Sequence, residues 1–132
     1  MSAHTRTYLA SGDLSTKEGY VVKMSNASAV LLATDGTIGT EDLVGIVAQG
    51  GGNTNGLPVT VAMAGAVTRG IAGGTLTRGT HRYLTTDGNG KLVAAVAGKT
   101  VIAEWIGQAG ASAASGDFIE IQVTNFPFVL DT

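Results

Sequence analysis

Several segments pair residue types at spacings that known chemistries use, and each fails on a neighbouring position. Gly98-Lys99-Thr100 has the residue order that closes a phosphate-binding loop, in which a lysine and backbone amides hold a nucleotide. That loop needs a glycine at position 93, which is Val93, and a helix where this sequence has a strand pattern. The segment reads as a turn before a strand. Asp87-Gly-Asn-Gly-Lys91 opens like a calcium loop, but Lys91 places a cation where an oxygen ligand belongs. No acid follows at the twelfth position, so a hairpin turn is expected. Ser112 within Gly110-Ala-Ser-Ala-Ala114 lacks the final glycine of a nucleophile elbow. Its only candidate bases are His4, near the N-terminus, and His81, at the mouth of a strand beside Arg82; two histidines so placed make a poor metal pair. Glu41-Asp42 reads as a helix-capping pair and Glu104 as an outward strand residue, and nothing marks a catalytic carboxylate pair. With no cysteine, thiolate zinc sites, disulfides and a cysteine nucleophile are excluded. The expectation is a protein that is not an enzyme, with no catalytic residues, no metal and no cofactor.

Charge and composition narrow the partners. The eight basic residues (Arg6, Lys17, Lys23, Arg69, Arg78, Arg82, Lys91 and Lys99) are dispersed, and nucleic-acid binding depends on their concentration. No nucleic acid is expected. The apolar stretch from Leu92 to Ala111 is broken by Lys99, Glu104 and several glycines, so no membrane partner is expected either. The opening residues have no apolar region of the kind a secretory signal carries. Glycine is 20 of 132 residues and charged residues are 14%, against usual shares of about 7% and about 25%. Leu, Ile, Val and Phe still make up a quarter of the chain and the net charge is only −2, which argues against disorder. Two prolines and no three-residue glycine period exclude collagen.

The elements that would position these residues are strands. Period-two or doubly apolar runs occur at Tyr20–Met24, Ala29–Ala33, Val44–Ala48, Pro58–Met63, Ala66–Gly70, Arg82–Thr86, Lys91–Ala95, Thr100–Ile106 and Phe118–Val123. The last is the cleanest, with Ile119, Ile121 and Val123 inward and Glu120 and Gln122 outward. About nine short strands separated by turns predict a mainly β fold, a small β-sandwich or barrel with little helix. Thr40–Leu43 is the one candidate helical turn, capped by Thr40. Ala109–Ser115 and Gln49–Gly56 read as loops. Residues 1–12 show no sustained period and read as an extended N-terminal arm, leaving 13–132 as a single β domain.

A domain with so few charges suits extensive contact with other proteins. The natural contact devices are the arm and the segment Asn125–Leu130, where Phe126 and Phe128 flank a proline expected at a sheet edge. The same two phenylalanines would otherwise close the domain's own core.

The order Ser11-Gly-Asp-Leu-Ser15, Gly19-Tyr-Val-Val-Lys23, Leu43-Val-Gly-Ile-Val47, Pro58-Val-Thr-Val-Ala62 and Gly116-Asp-Phe-Ile-Glu-Ile-Gln-Val123 resembles the capsid decoration, or cement, proteins of tailed double-stranded DNA bacteriophages. It is a resemblance of layout over nearly the whole chain, most specific in its first two segments. It implies a homotrimer on the outer surface of the virion's capsid, at three-fold and quasi-three-fold sites of the expanded head, made in the host cytoplasm. There it would clamp neighbouring major capsid proteins, reaching them with the N-terminal arm. Within the arm, Arg6, Tyr8 and Leu9 are the expected contacts, Arg6 for a carboxylate or carbonyl and the other two as apolar anchors. The competing expectation is a virion-associated β-sandwich binding module for a glycan or receptor. Its stacking residues would come from Tyr8, Tyr20, Tyr83 and Trp105, of which Trp105 lies in an apolar strand that reads as core.

Overall fold

The structure, a computed structural model, describes residues 4–26, 28–34, 43–48, 56–77, 80–107 and 112–129, with side chains as far as Thr124. Twelve strands run in chain order among them. They are β1 (Thr5–Ala10), β2 (Val21–Met24), β3 (Ala29–Leu32), β4 (Leu43–Val47), β5 (Pro58–Ala62) and β6 (Val67–Ile71). The second half supplies β7 (Leu76–Thr77), β8 (Tyr83–Thr86), β9 (Leu92–Ala94), β10 (Thr100–Trp105), β11 (Ser112–Ala113) and β12 (Phe118–Val129). The first five close a barrel in the order β1-β3-β2-β4-β5. A five-stranded sheet, β6-β12-β10-β8-β9, packs beside it, and β7 pairs with β11. The fold is mainly β, as expected, and combines a small barrel with a sheet.

Strand alternation explains both layers. In the barrel, Val22, Val30, Val47, Val59 and Val61 turn inward and fill its interior together with Ala10 and Leu14. Their neighbours Val21, Ile46 and Ala62 turn outward into a second core shared with Leu84, Leu92, Ile102, Trp105 and Ile121 of the sheet. Because one face fills the barrel and the other meets the sheet, β2 and β4 carry adjacent buried apolar residues, Val21-Val22 and Ile46-Val47, on both sides.

Three strands exceed the nine expected. Serine and alanine of β11 lie in a stretch read as loop, and β7 is the two-residue partner that pairs with it. The third is β1. Residues 1–12 were expected as an extended arm; Thr5–Ala10 is extended, but built into the barrel. It pairs antiparallel with β5 from Thr5↔Ala62 to Leu9↔Pro58, and parallel with β3 at Leu9↔Ala29 and Ala10↔Val30. Its inner face explains this: Ala10 is buried and Tyr8 packs on the barrel core, so only every second residue is apolar-facing and the period is too short to stand out. Glu41, Asp42 and the rest of the expected helical turn lie outside the described residues, as do 49–55 of the glycine-rich loop, while Leu43 opens β4.

β12 also runs further than the alternation of Phe118–Val123 suggests, continuing through Phe126 and Phe128 to Val129. Its first half, Phe118–Gln122, lies between β6 and β10, whereas Phe128 and Val129 pair with β10 alone among the described residues, which leaves the proline segment at an edge, as expected. Phe128 pairs with Val101 and Val123 with Ala103, so residues 124–127 bulge opposite Ile102 alone. Pro127, which has no N–H to give a ladder, is thereby accommodated in the bulge. The Thr124 hydroxyl donates to the carbonyls of Val101 and Ile102 across it.

Two glycines join barrel to sheet. Gly19, at φ +87°, donates its N–H to Val47 and accepts that of Ile71, and a Cβ there would lie 3.0 Å from the Phe118 ring. Gly90, at φ +78° in the β8–β9 turn, accepts the N–H of Val21 at 2.7 Å. Substituting Gly19→Ala combines a left-handed backbone with crowding and is expected to destabilise the fold by about 1–3 kcal/mol in denaturant titration. In contrast, the buried Thr85 hydroxyl has no hydrogen-bond partner among the described residues. Thr85→Val therefore removes an unsatisfied group, and its melting temperature is expected to equal or exceed the parent's.

Candidate interaction surface

The three expected contact residues of the N-terminal segment do not share a face. Arg6, Tyr8 and Ala10 have one parity and point into the barrel, opposite Val61 and Val59 of β5. Ala10 is buried, Tyr8 is half-buried against the core, and Arg6 stands at the barrel mouth with its guanidinium 5.7 Å from the Tyr8 ring. Leu9 has the other parity and is 43% exposed, across from Pro58 and beside the exposed Leu57. Tyr8 thus anchors the chain to its own core, while Leu9 and Arg6 present themselves on different sides. The side chains of Phe126 and Phe128 lie outside the described residues.

The near-motifs resolve into turns. Asp87 accepts the N–H groups of Asn89 and Lys91 on one carboxylate oxygen, holding the hairpin in which Gly90 sits. Lys99 donates its N–H to Val96 across a turn whose third residue, Gly98, precedes β10. His81 accepts the Thr77 N–H through Nδ1. Glu104 accepts from Arg82 on the outer face of the sheet, and that carboxylate raises the Arg82 pKa. Among the described residues no group of three or more His, Asp or Glu side chains is placed to hold a metal ion.

A pattern that sequence reading missed concerns the aromatic rings. Trp105 is buried in the core, as its strand suggested. Each of the other described aromatics carries a cation over its ring: Arg6 on Tyr8, Lys17 and Lys91 on Tyr20, Arg82 on Tyr83, and Arg69 on Phe118 at 4.7 Å. Five of the eight basic residues are engaged this way. Each such contact is worth about 0.5–1 kcal/mol at an exposed site. Partners come from spacings of two, of one or three, and from distant strands, so no single sequence period could reveal them.

Arg69 also reaches Glu18 at 2.6 Å, tying β6 to the segment before β2. Beside it runs a groove of about 760 Å³, between the barrel strands β1 and β5 and the sheet strand β6. Small side chains such as Thr5, Thr60 and Ala62 line its barrel side, and Val67, Thr68 and Arg69 its sheet side.

The segment Ser11-Gly-Asp-Leu-Ser15, the most specific part of the sequence resemblance, is a compact turn. Leu14 plugs into the barrel core while Asp13 accepts both the hydroxyl and the N–H of Ser15.

No family model and no curated protein matches the sequence. Among solved structures, the chain is similar to the N base of head fiber gp8.5 in bacteriophage phi29, with a TM-score of 0.56 and 16% identity. The match covers 94% of this chain and 96% of that one. At this identity it establishes a shared fold, from end to end.

The Ser15 hydroxyl, then its N–H, and then the charge of Lys17 hold the Asp13 carboxyl below its ordinary range. A depressed carboxylate adds stability that is present above the unfolded-state pKa and lost as pH falls through the folded value. Asp13 is fully exposed, so the effect on stability is small. The site itself is measurable: carboxyl-carbon NMR titration is expected to place Asp13 below the usual aspartate midpoint, and Ser15→Ala to move it upward.

Proposed function

We propose that this chain is a structural protein of a bacteriophage head, a capsid decoration protein without catalytic activity. It binds as a homotrimer to major capsid proteins at three-fold and quasi-three-fold sites of the expanded shell, on its outer surface, and stabilises their contacts. It is made in the host cytoplasm. The observation that carries this reading is the end-to-end fold likeness to a phage head fiber base. The layout of the sequence, independently, supports it. Three copies in one trimer would make attachment multivalent, so that modest single contacts add to a durable clamp.

The incorporation of β1 into the barrel changes how contact is made. Deleting residues 1–12 would remove a barrel strand, so that deletion cannot separate binding from folding. Surface substitutions can. Leu9 is exposed, and Leu9→Asp with Arg6→Ala is expected to leave the circular dichroism spectrum and melting temperature nearly unchanged while capsid occupancy is lost. Co-sedimentation with expanded, undecorated heads measures this, and full co-sedimentation of the double variant would overturn the role given to β1. Light scattering is expected to report a trimer; a monomer on the shell as well as in solution would overturn the trimer.

The alternative of a glycan-binding module is supported less well. Stacking on a sugar needs an open aromatic face, and the described rings outside the core have cations over them. A glycan array is expected to return no binders.

A further inference from the structure

We infer that the free edge of β6 is a docking site for an extended polypeptide segment carrying a basic side chain, which would join the sheet as an added strand. The backbone pattern fixes which groups are available. Ala72 donates its N–H to Asp117, and Val123 donates to Ala66, so the even-numbered residues of β6 face β12. Strand alternation then turns the N–H and C=O groups of Val67, Arg69 and Ile71 the other way. The Ile71 N–H is taken by the Gly19 carbonyl. The backbone groups of Val67 and Arg69 have no partner among the described residues.

Sheet edges of this kind are normally blunted by charge, proline, a bulge or a covering element. Here Val67 is 55% exposed, and the strand's one charge, Arg69, is turned toward Glu18 and Phe118. The segment before β2 closes the Ile71 end, where Gly19 bonds Ile71 and lies against the Arg69 carbonyl, but among the described residues no barrel strand pairs with the edge at Val67. Instead, the 760 Å³ groove runs along Gly65 to Arg69, with Thr60 and Ala62 as its opposite wall. Walls of threonine and alanine leave room for a peptide backbone and for small side chains alternating with its pleat.

Charge selects the occupant. Arg69 is neutralised by Glu18, whereas Glu120, which also lines the groove, has no ion-pair partner among the described residues. Glu120 lies one strand in from the edge, opposite Arg69 in the ladder, so the long side chain of a lysine or arginine on the incoming strand is what reaches toward that carboxylate past Arg69. The inference rests on the backbone pattern and the groove, and holds whether or not the chain decorates a capsid.

Amide NMR titration of the full chain with acetyl-Thr-Val-Thr-Lys-Thr-Val-Thr-amide tests it. The Val67 and Arg69 amides are expected to shift first. The same peptide with glutamate in place of lysine is expected to bind about tenfold more weakly. Val67→Pro removes an N–H that serves no ladder bond, so it is expected to retain the dispersed spectrum and lose the peptide. A peptide N-methylated at alternate residues is expected to fail as well, and decides the matter even if Val67→Pro does not fold. Unmoved Val67 and Arg69 amides, equal binding of the N-methylated peptide, or no preference for lysine would overturn the proposal. So would concentration-dependent shifts of these amides without peptide, which would make the occupant a second copy of the chain.

Discussion

The joint between barrel and sheet is the constraint on which the rest of the structure depends. Among the described residues the barrel encloses a small core of seven buried residues, while the larger, shared core is built only where the outer faces of the barrel strands meet the sheet. That sharing requires backbones to meet closely at two points, and both are glycines with positive φ. Gly19 is bonded to β4 on one side and β6 on the other, while Gly90 brings the β8–β9 turn onto Val21. The ion pair and ring contact of Arg69 lie beside Gly19, on its exposed side, and add modestly to a joint that burial and backbone bonding already define. The abundance of glycine in the chain is partly this requirement, expressed at turns that also serve as docking points.

Strands with strong alternation were legible in the sequence because burial on one face leaves a period-two record. Phe118–Val123 and Pro58–Ala62 are of that kind. The doubly apolar run Ala29–Ala33 was legible as a strand, but its place between two cores, with Val30 in one and Ala33 in the other, was not, since periodicity records burial and not what lies on each side. β1 was read as an arm because Thr5, Thr7 and Arg6 are exposed and only Tyr8 and Ala10 contribute to the core. Its place is decided by pairing with β5, a contact distant in sequence. The course of β12 through Pro127 was likewise hidden, because a proline argues against a strand unless a bulge absorbs it.

The candidate surface was less legible than the fold. The failed chemical motifs do have a positive account in the structure, since Asp87, Gly98 and His81 all support local backbone turns. The cation–aromatic pairs have no sequence signature, because Arg69 meets Phe118 and Lys91 meets Tyr20 only through tertiary folding. They give a physical reason for part of the dispersion of basic residues: five of the eight stand over rings scattered through the fold, so their positive charge is distributed with the aromatics instead of gathered into a patch.

The position of β1 bears on the attachment proposed above. A flexible arm loses conformational entropy when it docks, and that loss offsets part of its contact energy. Here Thr5–Ala10 is already ordered by β5, and by β3 at its end, so contacts made by Leu9 or Arg6 would carry little of that cost. A rigid surface must match its partner's shape, and gains less from adaptable reach. Three such surfaces held in one oligomer would bind strongly only where the partner repeats with the same spacing. On the proposed function, an ordered β1 would therefore favour attachment to a regular lattice over attachment to isolated copies of the same partner, because only the lattice would engage all the surfaces together.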